Sequence, residues 1–247
     1  MSVTWEELGW EMLAPRVGRR RLPVWDCTAG LVVGEGAALM IDAGSSLAEG
    51  ARLRTETRRL LGGGRRVTHL ALTHPHFDHV FGAAAFAGVE VFGAVGLDAV
   101  LAYEREREAL RADAVRNGLD PRDAAEAADL LVRPRHLVCG EWTLDLGGGV
   151  QVLLANVGPA HTAHDLAILV SGTPDSPEVV FCGDLVEESG EPQAGPDAVP
   201  SHWPVALDRL LDLGGENAVY VPGHGAAVNA AFVHAQRDAL AARFGVS

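Results

Sequence analysis

Thr73-His74-Pro75-His76-Phe77-Asp78-His79 closes a strand-like stretch that begins at Val67, and it packs four potential metal ligands into six positions. Three imidazoles this close repel one another when protonated, so a solvated loop gains little from them. A divalent cation instead gathers neutral His and ionised Asp around one charge. The segment therefore points to a metal site at the end of a strand.

Three later stretches have the same form. Val150 to Ala155 leads to Ala160-His161-Thr162, Val179 to Cys182 leads to Asp184, and Ala218 to Val221 leads to Pro222-Gly223-His224-Gly225. Functional side chains in α/β folds collect beyond strand ends, where several strands aim into one crevice. Four such segments can meet at one site.

Around them the chain reads as strands in each half with helices between. Leu22 to Asp42 gives short apolar runs and turns: Leu22-Pro23-Val24-Trp25, Gly30 to Gly34, and Ala37 to Asp42. Leu47 to Leu61 has helical spacing and stops at Gly62. Leu97 to Leu131 predicts a long helix broken near Asn117-Gly118, and Pro204 to Leu213 and Ala230 to Phe244 predict two more. Further strands are expected at Val89 to Phe92, Glu141 to Leu146 and Ala167 to Val170. The pattern predicts an α/β protein with two sheets packed together and helices outside, as one domain over residues 1–247.

The set His74-Pro75-His76-Phe77-Asp78-His79, His161-Thr162, Asp184 and Gly223-His224, with Asp42-Ala43-Gly44 upstream, resembles the metallo-β-lactamase superfamily from about Ala29 to Gly225. The resemblance implies a four-layer αβ/βα sandwich. It also implies that His74, His76 and His161 hold one metal, that Asp78, His79 and His224 hold a second, and that Asp184 bridges them. Two divalent ions, zinc first and iron or manganese compatible, would then activate a shared water, since one Zn²⁺ already lowers the pKa of bound water to about 7. The expected activity is hydrolysis of a lactone, ester, thioester or amide, with Asp78 or a metal-bound water delivering a proton to the leaving group. The alternative is a mononuclear non-haem iron dioxygenase of the same superfamily, acting on a thiol or persulfide.

Departures from the pattern sharpen the reading. His161-Thr162 is followed by Ala163-His164-Asp165, where many members carry glycine. His164 reads as a surface or core-capping residue, and Asp165 as either a turn residue or an acceptor that orients a ligand imidazole. Three positions past Asp184 stands Glu187, where lactonases of the superfamily have Tyr and β-lactamases with a cysteine ligand have Lys. An acid there repels substrate carboxylates. His202 is a candidate substrate contact, and His69, His136 and His234 read as structural.

Composition excludes other classes. All 20 basic residues are Arg, so a Walker A lysine and a Schiff-base lysine are both absent. With 33 Asp and Glu the net charge is −13, which disfavours a nucleic-acid partner and leaves a small-molecule substrate. No apolar run reaches the roughly 18 residues of a membrane span. Acids near Met1, and the odd, scattered set Cys27, Cys139 and Cys182, predict a cytoplasmic protein with buried free thiols.

Overall fold

In the computed structural model, which describes residues 3–246, the alternation of side chains along each strand divides the apolar residues among three cores. The first sheet runs in chain order: β1 (Glu11–Ala14), β2 (Val17–Arg21), β3 (Thr28–Val33), β4 (Ala38–Ile41), β5 (His69–Ala71), β6 (Glu90–Ala94) and β7 (His136–Val138). It is antiparallel up to β4 and parallel from β4 to β7. The second sheet contains β8 (Glu141–Asp145), β9 (Gln151–Asn156), β10 (Leu166–Val170), β11 (Val179–Glu187) and β12 (Val219–His224), ordered β12-β11-β10-β9-β8.

Leu39, Ile41 and Phe92 of the first sheet meet Leu154, Ile168, Phe181 and Val221 of the second in a shared central core. Residues one position along point the other way. Met40 and Leu70 pack under α1 (Leu47–Leu61), α2 (Phe77–Val80), α3 (Leu97–Ala102), α4 (Glu104–Arg116) and α5 (Pro121–Asp129). Val180 and Tyr220 pack under α6 (Trp203–Gly214) and α7 (Ala230–Phe244). The result is the four-layer sandwich of helices, sheet, sheet and helices.

Helix ends follow local chemistry. Ser46 caps α1 by accepting from the Glu49 N–H, and Asn229 caps α7 by accepting from that of Phe232, so both helices begin where a short polar side chain satisfies an orphan donor.

Three sequence expectations are corrected. Leu22 to Trp25 is a turn, with Val24 and Asp26 at φ 82° and 58°, and the preceding strands β1 and β2 form a hairpin that composition concealed. The expected long helix is three helices, because Tyr103 is extended as well as the 117–118 break being present. Asp184 lies inside β11 and not beyond it: the β11–β12 register slips on both sides of Gly183, whose φ is 54°, and this bulge turns Asp184 toward the cleft.

Candidate metal centre

The first ligand segment is held from behind by Asp42, the first residue after β4. Its buried carboxylate accepts from the Thr73 N–H at 2.8 Å and the Thr73 hydroxyl at 2.7 Å. The backbone thereby stops continuing the sheet, and His74 points into the cleft. After Pro75 the chain enters α2, whose single turn presents Asp78 and His79 to the same space. The loop after β9 brings His161, the bulge in β11 brings Asp184, and the end of β12 brings His224.

These seven side chains converge in two overlapping groups. His74, His76, His161 and Asp184 form one, and His79, Asp184 and His224 form another, which Asp78 joins at 3.2 Å from His224 Nε2. Asp184 belongs to both: Oδ1 lies 3.1 Å from His79 Nε2, and Oδ2 lies 3.5 Å from His161 Nε2 and 3.3 Å from His224 Nε2.

Each imidazole spends its outer nitrogen on a partner. His79 Nδ1 donates to Asp42 at 2.8 Å, His74 Nδ1 to the Thr73 hydroxyl at 2.9 Å, and His224 Nδ1 to the Trp25 carbonyl at 2.7 Å. His161 Nδ1 donates to the Gln193 carbonyl and His76 Nε2 to Asp197, both at 3.1 Å. Outer partners of this kind set the tautomer and aim the other lone pair at a metal.

The inward nitrogens show the fit. His76 Nδ1 and His161 Nε2 stand 3.0 Å apart, each on a ring whose outer nitrogen is already held by a partner. A cation between them takes both lone pairs; Zn–N bonds of the usual length place two tetrahedral nitrogens about 3.3 Å apart. His74 Nε2 and Asp184 Oδ1 are buried without a hydrogen-bond partner among the described residues, a costly state that a metal relieves.

Electrostatics divide the rings: burial at His79 is outweighed by the neighbouring carboxylates, which hold it well above the ordinary histidine range, whereas His74 and His161 are lowered. Burial pushes His161 down to about 4 and holds His74 well below the ordinary histidine range, so both present lone pairs. Although burial opposes it, the neighbouring Asp184 and Asp78 push His224 up to about 12, because buried carboxylates attract positive charge.

Of the two roles open to Asp165, the structure has it as the turn residue before β10. It touches no imidazole; its carboxylate accepts from the N–H groups of Ala160 and Thr162 and from the Thr162 hydroxyl at 2.7 Å, bracing the loop through its backbone. His164 turns away and donates from Nδ1 to the Val95 carbonyl at 2.9 Å. Replacing His164 with Ala leaves the metal content unchanged, and elemental analysis of the purified variant tests this; a lost equivalent there, with His161→Ala retaining both, would reverse the assignment.

His202 is exposed in the short turn before α6, apart from the converging donors, and its neighbour Trp203 is the one that packs edge-on against the His161 ring. His69 stacks on Phe92, His136 pairs with Glu90 and His234 pairs with Glu216, all apart from the cluster.

Sequence reading missed several supports. Cys27 Sγ approaches the Asp78 carbonyl at 3.1 Å and is nearly equidistant from both His79 ring nitrogens, at 3.8 and 3.7 Å. Cys27 thereby forms a further group of converging donors with Asp78 and His79. Burial pushes this thiol up to about 11. Cys182 is also buried, but Cys139 is exposed, against the expectation of three buried thiols. Buried Arg19 donates to the Gly225 carbonyl at 2.8 Å and steadies the turn behind His224. Asp197 had no signal beyond its place in an acidic loop. Asp197→Ala frees His76 to rotate, and metal affinity at the first position should fall about 10–100-fold with little change in thermal stability. Competition with a chelator measures it.

The metallo-beta-lactamase superfamily profile matches residues 22–224, and the chain belongs to that superfamily. Among solved structures it is similar to the metallo-beta-lactamase FIM-1 from Pseudomonas aeruginosa in its mono-zinc form, at 18% identity and TM-score 0.68 over 96% of each chain. A metallo-beta-lactamase from Pontibacter korlensis aligns at 20% identity and TM-score 0.70, over 94% of this chain and 97% of that one. One from Hirschia baltica aligns at 14% and 0.65, over 94% and 96%. At these identities the likeness is one of fold. No protein with a curated function matches significantly by sequence.

Proposed function

We propose that this chain is a dinuclear metal-dependent hydrolase that cleaves a neutral or singly charged lactone, ester, thioester or amide. The observation that carries the reading is the set of five imidazoles whose outer nitrogens are held by partners and whose inner nitrogens converge with Asp78 and Asp184. His74, His76 and His161 would hold one ion and Asp78, His79 and His224 the other, with Asp184 between. Nitrogen and carboxylate donors suit zinc best, with iron or manganese compatible. Bound there, divalent ions supply Lewis acidity toward a carbonyl oxygen and acidify water.

The protein's own groups do the rest. The outer partners keep the ligands oriented, and Asp78 is the group placed to pass a proton to the leaving atom. Glu187, at the end of β11 opposite His224, is held above the ordinary carboxylate range by burial and by Asp184. Its negative charge near the cleft disfavours substrates that bring a carboxylate, which separates this chain's expected substrates from β-lactams. A small molecule is the expected partner rather than nucleic acid, and the free thiols fit a cytoplasmic setting. Among the described residues no helix is long and apolar enough to cross a membrane.

Metal analysis should return about two equivalents per chain, mostly zinc. Kinetics on a panel of neutral lactones and esters, β-lactams and phosphodiesters should place the neutral carbonyl substrates first in kcat/KM. One equivalent of iron with oxygen consumption on thiols would instead establish the dioxygenase reading. Phosphodiesters or β-lactams ranking first, in an order that Glu187→Gln leaves unchanged, would end the electrostatic argument while leaving the metal site standing.

A further inference from the structure

Residues 52–66 carry six arginines, Arg52, Arg54, Arg58, Arg59, Arg65 and Arg66, against one acid, Glu56. That is a local +5 in a chain whose remainder, 14 Arg against 32 Asp and Glu, carries −18. Elsewhere arginines are neutralised: nine of those 14 form salt bridges. None of the six does so among the described residues. Glu56 is itself turned away, accepting from Trp10 Nε1 and pairing with Arg20.

Arg54 and Arg58 stand one turn apart on α1, and together with Arg66, which follows the glycine turn, they line a cavity of about 50 Å³. Buried Thr57 and Phe86, with Val89, line its floor. Val67 and Val89 precede β5 and β6, whereas the metal ligands follow β5, so this cavity lies at the opposite edge of the first sheet.

Helix electrostatics do not account for the cluster. A helix C-terminus presents about half a negative charge, which Arg58 and Arg59 more than answer, and Arg54 and Arg66 are left over. Since roughly 10–15 Å³ of such space holds one water, the cavity has room for several waters or one tetrahedral oxyanion. Guanidinium forks match the oxygen spacing of phosphate and carboxylate alike, but three arginines around one cavity can meet the three terminal oxygens of a phosphate group, where a carboxylate offers two.

We propose that this pocket is a binding site for a compact phosphate-bearing anion, gripped by Arg54, Arg58 and Arg66. Compactness follows from the rest of the surface. Screening reaches only about 8 Å at physiological ionic strength, so an extended polyanion such as a nucleic acid leaves the arginines and meets the −18 of the remaining chain.

The test is calorimetric titration of the full-length, metal-loaded protein with inorganic phosphate and with pyrophosphate at low ionic strength. Because divalent metals also bind phosphate, the same titration is made on Asp184→Asn. Saturable binding should persist in Asp184→Asn and weaken by about tenfold or more in the combined variant Arg54→Gln, Arg58→Gln, Arg66→Gln, reflecting lost charge-assisted bonds. A control with the same change in charge, Arg107→Gln, Arg111→Gln, Arg116→Gln, should leave it intact. The single variant Arg66→Glu, in the turn and outside any helix, should weaken binding likewise and guards against a folding defect in the triple variant. The proposal fails if neither anion binds, if both triple variants bind equally, or if binding disappears in Asp184→Asn. An oligonucleotide that displaces pyrophosphate through the same arginines would overturn the compact-anion assignment.

Discussion

Asp184→Asn should yield a folded protein that has lost most of its metal and about three orders of magnitude in kcat/KM, the equivalent of roughly 4 kcal/mol of transition-state charge stabilisation. The carboxamide has nearly the same shape, so the central packing of β11 is kept. It lacks the charge. Asp184 is the one acid whose two oxygens face both ligand groups, lying 3.1 Å from His79 and 3.5 Å from His161. Two closely placed divalent ions repel, and a bridging carboxylate offsets part of that repulsion where an amide cannot. The space allows no detour either, because a Cβ on Gly223 would lie 1.8 Å from Asp184 Oδ1, and that glycine fixes where the carboxylate sits. Elemental analysis alongside circular dichroism gives the answer. Retention of two equivalents at full activity would remove Asp184 from the centre.

Asp42→Ala should be the most damaging change outside the ligands, costing about 3–5 kcal/mol as removal of one partner from a buried charged network typically does. Asp42 is 2% exposed and serves three donors: the Thr73 N–H, the Thr73 hydroxyl and His79 Nδ1. Alanine leaves the Thr73 N–H and His79 Nδ1 unsatisfied in a dry interior and frees both rings that Asp42 and Thr73 orient. Affinity at both metal positions should drop as well, by about 10–100-fold. Denaturant unfolding of the metal-free variant isolates the stability loss, and chelator competition measures the affinity. A change under about 1 kcal/mol would mean that water or a shifted backbone replaces the carboxylate.

Legibility in the sequence varied with how local the cause was. Helices α1 and α7 were readable to the residue because their caps, Ser46 and Asn229, and their apolar spacing lie within the segment itself. The β1–β2 hairpin was not: Arg19, Arg20 and Arg21 in succession look like a solvated run, yet Arg19 is buried because it spans to Glu11 and the Gly225 carbonyl. Leu22 to Trp25 has strand composition, but Pro23 and the positive φ at Val24 and Asp26 bend it so that the Trp25 carbonyl reaches His224. Asp165 was legible only as two alternatives: it is four residues from His161, and whether it held the loop or the ring depended on where the backbone donors of Ala160 and Thr162 fell.

What the sequence determined by itself was the chemistry of the centre. Five imidazoles and two carboxylates are identities, they are visible in any arrangement, and the spacing of His74, His76, Asp78 and His79 already brings four of them together within one turn after a strand. Tertiary structure decided which nitrogen of each ring faces inward. Two of the partners that settle this are the backbone carbonyls of Trp25 and Gln193, 199 and 32 residues from the rings they hold. Every residue has a carbonyl, so no side-chain pattern can mark which one the fold will bring within 3 Å of an imidazole.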